Sequence, residues 1–126
     1  MMSAASKNCI LVVDDDEDIR ETLREAVEMV GCTALLAKDG SDALRVLGQH
    51  RPCLIILDLI MPIMTGEELL QAMRLQPELA QLPVVVSTSA PRRAPAGVPV
   101  LAKPIDLRAF WDCIRQNCDC RSAPLS

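Results

Sequence analysis

The 126-residue sequence is almost without aromatic side chains: it has no tyrosine, one phenylalanine and one tryptophan, at Phe110 and Trp111. That scarcity argues against a stacking platform for nucleic-acid bases, which rests on several exposed rings. A surplus of positive charge is missing too, since 13 Lys and Arg stand against 17 Asp and Glu, for a net charge of -4. No basic field would draw a phosphate backbone, and nucleic acid is not expected as a partner. No uninterrupted apolar run approaches the roughly 20 residues needed to span a bilayer, and Met1 to Asn8 lacks the apolar stretch of a secretion signal. The chain is therefore expected in the cytoplasm, with no membrane partner. The sole histidine, His50, lies far in sequence from Cys113, Cys118 and Cys120, and no C-x-x-C is present, so these tail cysteines do not read as a zinc site. All six cysteines (Cys9, Cys32, Cys53, Cys113, Cys118, Cys120) are read as reduced thiols, several of them in apolar strand-like runs.

What is present is enough aliphatic material for one compact domain, because half of the residues are hydrophobic. Five short apolar runs recur along the chain: Cys9 to Val13, Thr33 to Ala37, Cys53 to Leu57, Val84 to Val86 and Val98 to Ala102. Apolar runs without alternation are the mark of strands covered on both faces, which predicts a parallel sheet clad in helices. Between the first two runs, Ile19, Leu23, Ala26, Val27 and Val30 recur at helical spacing, with acids in front and Gly31 as a stop. Asp42 to Gln49 and Gly66 to Leu75 supply two further helices, and a last one starts near the N-cap residue Asp106. The folded domain is placed at residues 8–118, with 1–7 and 119–126 as tails.

The alternation breaks once. Ser89 to Gly97 holds Pro91, Pro95, Arg92 and Arg93 but no apolar stripe, so the helix between the fourth and fifth strands is expected to be absent or degenerate. In an open parallel sheet, ligands gather beyond the carboxyl ends of the strands. There the sequence places Asp14, Asp15 and Asp16 after the first strand, Asp58 after the third, Ser87, Thr88 and Ser89 after the fourth, and Lys103 with Pro104 after the fifth. Carboxylates gathered this closely repel one another unless a cation sits among them, which predicts Mg²⁺ with a vertex left for a phosphoryl oxygen. The ammonium of Lys103 and the hydroxyl of Thr88 suit the other phosphoryl oxygens, so the chemistry implied is phosphoryl transfer onto a carboxylate. Asp16, Glu17 and Asp18 read instead as caps of the first helix.

The segments I-L-V-V-D-D-D at 10–16, L-I-I-L-D-L-I-M-P-I-M-T-G at 54–66, P-V-V-V-S-T-S at 83–89 and L-A-K-P at 101–104 resemble the receiver domain of two-component response regulators. The resemblance implies a flavodoxin-like (βα)5 fold, α/β and doubly wound, with a five-stranded parallel sheet in the order 2-1-3-4-5. It also implies phosphorylation of Asp58 by a sensor histidine kinase or phosphotransfer protein. By the same resemblance Asp15 and Asp58 ligate Mg²⁺, Asp14 acts mainly through a water, and Ile60 offers its backbone carbonyl. Thr88 and Lys103 hold the phosphoryl group, with Ser87 and Ser89 as alternatives to Thr88, and Pro104 stands at the family's cis-proline position.

Two departures accompany these matches. Val100 stands where receivers usually carry an aromatic reporter, three residues before the lysine, and the Thr88 to Lys103 interval is short by about two helical turns. The favoured reading is a stand-alone receiver that is not an enzyme beyond labelling and unlabelling itself, and that signals by protein–protein contact to an unknown downstream protein. An interaction module acting without phosphorylation is the alternative. A third reading, a phosphatase of the haloacid dehalogenase type using Asp14 and Asp16 as D-x-D, lacks a cap segment and a later acidic pair. The missing helix is expected to leave the sheet open near Val84, Val86 and Val100, to be covered by a partner or by a second copy as a homodimer.

Overall fold

The computed structural model describes residues 8–61 and 63–120, so the expected N-terminal tail and most of the C-terminal one lie outside the described residues. Strands β1 (Cys9–Val13), β2 (Thr33–Ala37), β3 (Leu54–Asp58), β4 (Val84–Thr88) and β5 (Val100–Ala102) form one sheet in the order β2-β1-β3-β4-β5. Every neighbouring pair is parallel. The flavodoxin-like α/β architecture expected from the sequence is therefore the one observed.

The helices form where local chemistry favours them. Helix α1 (Glu17–Met29) is capped by Asp16, whose side chain accepts from the backbone N–H of Asp18 and Ile19. Helix α2 (Gly40–Leu47) is capped by Asp39, and α3 (Gly66–Arg74) opens on a capping box in which Thr65 and Glu68 satisfy each other's backbone donors. A one-turn helix α4 (Pro77–Ala80), started by its proline, belongs to the connection into β4 and escaped the sequence reading. Helix α5 (Leu107–Asn117) begins after the Asp106 cap, as expected.

Each sheet face has its own core. On one side Ile10, Val12, Leu54, Ile56 and Val85 pack beneath α1 and α5, joined by Leu23, Val27, Phe110 and Ile114. On the other, Leu11, Val13, Ile55 and Leu57 pack beneath α2 and α3, joined by Ala43, Leu47, Leu69 and Met73. Trp111 leans on the first core, and its indole N–H donates to the Ala26 carbonyl at 3.0 Å, which fastens α5 to α1. Fully burying side chains of this size contributes roughly 1.5–3 kcal/mol each, so the two layers hold the strand ends in fixed positions.

Between β4 and β5 the chain makes only a 3-10 turn, Pro91–Arg93, in place of a crossover helix. The consequence is narrower than the sequence suggests. Val100 is 37% exposed and Ala102 is also exposed, but Val84 is half-buried and Val86 is fully buried. The opening is thus confined to the outer face of the last strand, since Val86, one strand further into the sheet, is fully buried. Among the described residues no helix is long and apolar enough to cross a membrane.

Candidate functional site

Strands β1, β3, β4 and β5 end at one pole of the sheet, and the residues that close or follow them converge there. Asp14 continues the ladder past β1 by donating its N–H to the Ala37 carbonyl at 3.1 Å, which buries its side chain. Its Oδ1 accepts from the Asp16 N–H at 2.9 Å, and its Oδ2 accepts from the Lys103 ammonium at 2.9 Å. Asp58 is the last residue of β3 and is also buried. One of its oxygens accepts the Ile60 N–H at 3.4 Å, and Lys103 Nζ lies 3.6 Å from the same oxygen. Asp15 is exposed at the rim, and one carboxylate oxygen from each of Asp14, Asp15 and Asp58 lies within 4.8 Å of the others.

The electrostatics follow from this crowding. Burial, and then the neighbouring charge of Asp14, push the Asp58 carboxyl up to about 6, although the nearby ammonium pulls the other way. Burial works against the charge of Lys103, but its hydrogen bond to Asp14 and the charges of Asp14 and Asp58 more than offset this and raise its pKa above the usual lysine value. An all-oxygen set of hard carboxylates, short of positive charge, fits a small divalent cation such as Mg²⁺ and offers nothing to a thiophilic metal. Asp14, Asp15 and Asp58 are the residues that would hold it.

Thr88 ends β4 fully buried, its Oγ1 accepting from the Ala90 N–H at 3.0 Å, while its carbonyl accepts the Lys103 N–H at 2.8 Å. Ser87 pairs in register with Asp58 and therefore shares its sheet face, and its buried hydroxyl has no hydrogen-bond partner among the described residues. Ser89 is exposed. The structure thus brings Thr88 and Ser87 to the acidic pole on opposite faces of β4, without a direct bond from either hydroxyl to the carboxylates. Ile60 is 58% exposed at the mouth of the site. The Lys103–Pro104 peptide is cis.

Two supporting residues escaped the sequence reading. Arg20, on α1, donates from its guanidinium to the Asp14 carbonyl at 2.7 Å and so steadies the acidic turn. A single arginine in a helix carries no sequence signal for that role. Gly66 lies so close to β3 that a Cβ there would stand 2.5 Å from the Asp58 carbonyl oxygen and 2.9 Å from Leu59 Cα. Only glycine lets α3 start directly against the strand that ends in Asp58.

Comparison with known proteins agrees with this geometry. The response regulator MprA of Mycobacterium ulcerans is 40% identical over 80 residues, which make up 64% of this chain and 34% of that protein. The matched part thus spans about a third of the length of such curated relatives. Among solved structures, the chemotaxis response regulator CheY4 of Vibrio cholerae superposes with a TM-score of 0.78 at 26% identity, covering 90% of this chain and 98% of that one. A response regulator receiver protein from Pseudomonas putida gives a TM-score of 0.77 at 28% identity, covering 91% and 99%. The family description "Response regulator receiver domain" matches residues 10–110. With its fold, its acidic pole and this match in agreement, the chain belongs to the response regulator receiver domain family.

Proposed function

We propose that Asp58 accepts a phosphoryl group from a sensor histidine kinase or phosphotransfer protein and that the phosphorylated domain signals by protein–protein contact. Receiver domains are signalling modules that pair with histidine kinases. The observation that carries the reading is the convergence of Asp14, Asp15 and Asp58 within 4.8 Å of one another, with the Lys103 ammonium against two of them. An Asp58 oxygen attacks the phosphorus of a phosphohistidine, the P–N bond breaks, and the electron pair leaves on the imidazole, which takes up a proton. Mg²⁺ held by Asp14, Asp15 and Asp58 would neutralise charge on the transferring group. Lys103 supports a second phosphoryl oxygen and the hydroxyl of Thr88 or of Ser87 a third, and the Ile60 carbonyl would add a further oxygen to the residues holding the metal. Domain limits of 8–118 are consistent with α5 ending at Asn117.

A cleft of about 450 Å³ opens beside Lys103, between Ile19, Thr22 and Leu23 of α1 and the Pro104, Ile105 and Leu107 segment. Its apolar walls next to Lys103 would let a donor protein present its phosphohistidine to Asp58. The exposed outer face of β5 and the missing crossover helix favour a second reading, an interaction module that works without phosphate. One experiment separates the two: incubation with Mg²⁺ and a small acyl phosphate, followed by intact-mass measurement. Addition of one phosphoryl group to the wild type and none to Asp58→Asn is expected, whereas an unlabelled wild type, or a variant labelled equally, refutes the assignment.

A further inference from the structure

All six cysteines gather at the pole opposite the acids. Cys9 opens β1, Cys32 precedes β2, Cys53 precedes β3, and Cys113, Cys118 and Cys120 lie on or just beyond the C-terminal half of α5. The sequence reading of six reduced thiols does not describe the structure, in which Cys53 is bonded to Cys118 and Cys32 to Cys120. The pairing is invisible in sequence because the partners lie 65 and 88 residues apart and meet only once α5 has packed along the sheet. We propose that these two pairs form a reversible thiol–disulfide exchange site, a clasp that fastens the end of α5 to the starts of β3 and β2 and is opened by small thiols or a dithiol protein.

Three features support reversible exchange. First, the Cα atoms are 5.4 Å and 5.2 Å apart, within the range of ordinary disulfides, so the backbone need not move for either bond to form. Second, access is one-sided: Cys32 and Cys53 are buried, but Cys118 and Cys120 are partly exposed, so an incoming thiolate has a sulfur to attack. Third, the reduced form is accommodated as well, since Cys53 Sγ lies 3.2 Å from the Cys9 carbonyl oxygen, an acceptor for the thiol once the bond is cut. The remaining two thiols are poor competitors, because burial pushes up the pKa of both Cys9 and Cys113. In the first step, an external thiolate attacks Cys120 Sγ, the bond to Cys32 breaks, and Cys32 leaves with the electron pair and takes a proton. A second external thiol attacks the mixed disulfide, releasing reduced Cys120 and one small-molecule disulfide, so two thiols are oxidised for each protein bond reduced. A single metal site built from the four paired cysteines fits less well. Cys32 and Cys53 begin strands on either side of β1, roughly 9–10 Å apart, whereas zinc holds its sulfurs about 2.3 Å from one centre.

The test equilibrates the full chain in oxidised or reduced glutathione, then blocks free thiols under denaturing conditions and counts them by mass. Two blocked thiols, Cys9 and Cys113, are expected after oxidation and six after reduction. Peptide mapping should show the Cys53–Cys118 and Cys32–Cys120 links, with a melting midpoint about 10 °C or more higher in the oxidised form. Cys120→Ser, in a segment outside the core elements, should keep the Cys53–Cys118 link and lose only the other. Six free thiols in the oxidised buffer, different links, a bond that glutathione cannot reopen, or one zinc bound per chain and lost in Cys120→Ser would each overturn the proposal.

Discussion

Asp58→Asn should stabilise the metal-free protein at neutral pH while abolishing its acceptor role. In the fold the carboxyl is buried beside Asp14, and its pKa is pushed up from 3.8 to about 6. At roughly 1.4 kcal/mol per pH unit, that rise corresponds to about 3 kcal/mol spent on keeping the group ionised in the folded state. Asparagine has the same shape and can still accept the Ile60 N–H, but it removes one partner of Lys103, so the expected net gain is about 1–3 kcal/mol. The sign fixes the pH dependence. Between pH 3.8 and about 6 the folded protein holds a proton that the unfolded chain has already lost, so wild-type stability falls as pH rises through that window and not further above it. The variant lacks this decline, and the two should converge near pH 4. Urea unfolding in a chelator at pH 4 and pH 7.5 measures the difference. Adding Mg²⁺ at about 100 times its dissociation constant should return roughly 2.7 kcal/mol to the wild type and much less to the variant. A variant no more stable than the wild type at pH 7.5 in chelator would refute the electrostatic account of the site.

Four further outcomes follow from the same geometry. Asp15→Ala removes the exposed carboxylate of the acidic triad without disturbing the core and should weaken Mg²⁺ binding at least about tenfold by titration calorimetry. Ile60 stands exposed at the mouth of the site and, like Ala90, gives water no polar group to orient, so Ile60→Asn should shorten the lifetime of the aspartyl phosphate followed by intact mass. Ile63 is a β-branched residue held at φ 69° and 81% exposed; Ile63→Asn should raise stability by about 1 kcal/mol in denaturant unfolding. Val100→Lys should cost less than about 0.5 kcal/mol and Leu101→Lys several times more, because only Leu101 faces the core. A large cost at Val100, or dissociation of a dimer by that variant, would show that a second copy covers the outer face of β5.

The parts legible in the sequence were those written in local pattern. Apolar runs without alternation marked β1 and β2 to the residue, although only β1 is buried throughout and the edge strand β2 is mostly half-buried, and the caps at Asp16 and Asp106 marked the starts of α1 and α5, because apolar runs and unpaired helix donors act over a few residues. Asp14, Asp58 and Lys103 were legible because a parallel sheet brings the ends of separate strands to one pole wherever they lie in the chain. What could not be read depends on packing between distant segments. The coverage of Val86, the Arg20 bond to the Asp14 carbonyl and the Cys53–Cys118 bond have no signature in spacing. The choice between Thr88 and Ser87 is also a tertiary matter. Register places Ser87 on the face of Asp58, while Thr88 has the hydroxyl already engaged with the backbone ahead.

That engagement bears on how a receiver without the aromatic reporter could pass on its state. With Val100 in that position, no large ring can change rotamer against the crossover segment. Thr88 instead has two direct ties to its surroundings: its carbonyl holds the Lys103 N–H at 2.8 Å, and its hydroxyl oxygen holds the Ala90 N–H at 3.0 Å. Ala90 is the residue from which the Pro91–Arg93 turn starts, and that turn carries Arg92 and Arg93 into solvent. A phosphoryl oxygen on Asp58 that drew the Thr88 hydroxyl toward itself would strain or break the Ala90 bond, and the turn would lose the anchor at its start. In a longer receiver loop such a shift would be absorbed by a packed crossover helix. Here there is none, so the displacement would reach two exposed guanidinium groups within a few residues of the acceptor pole.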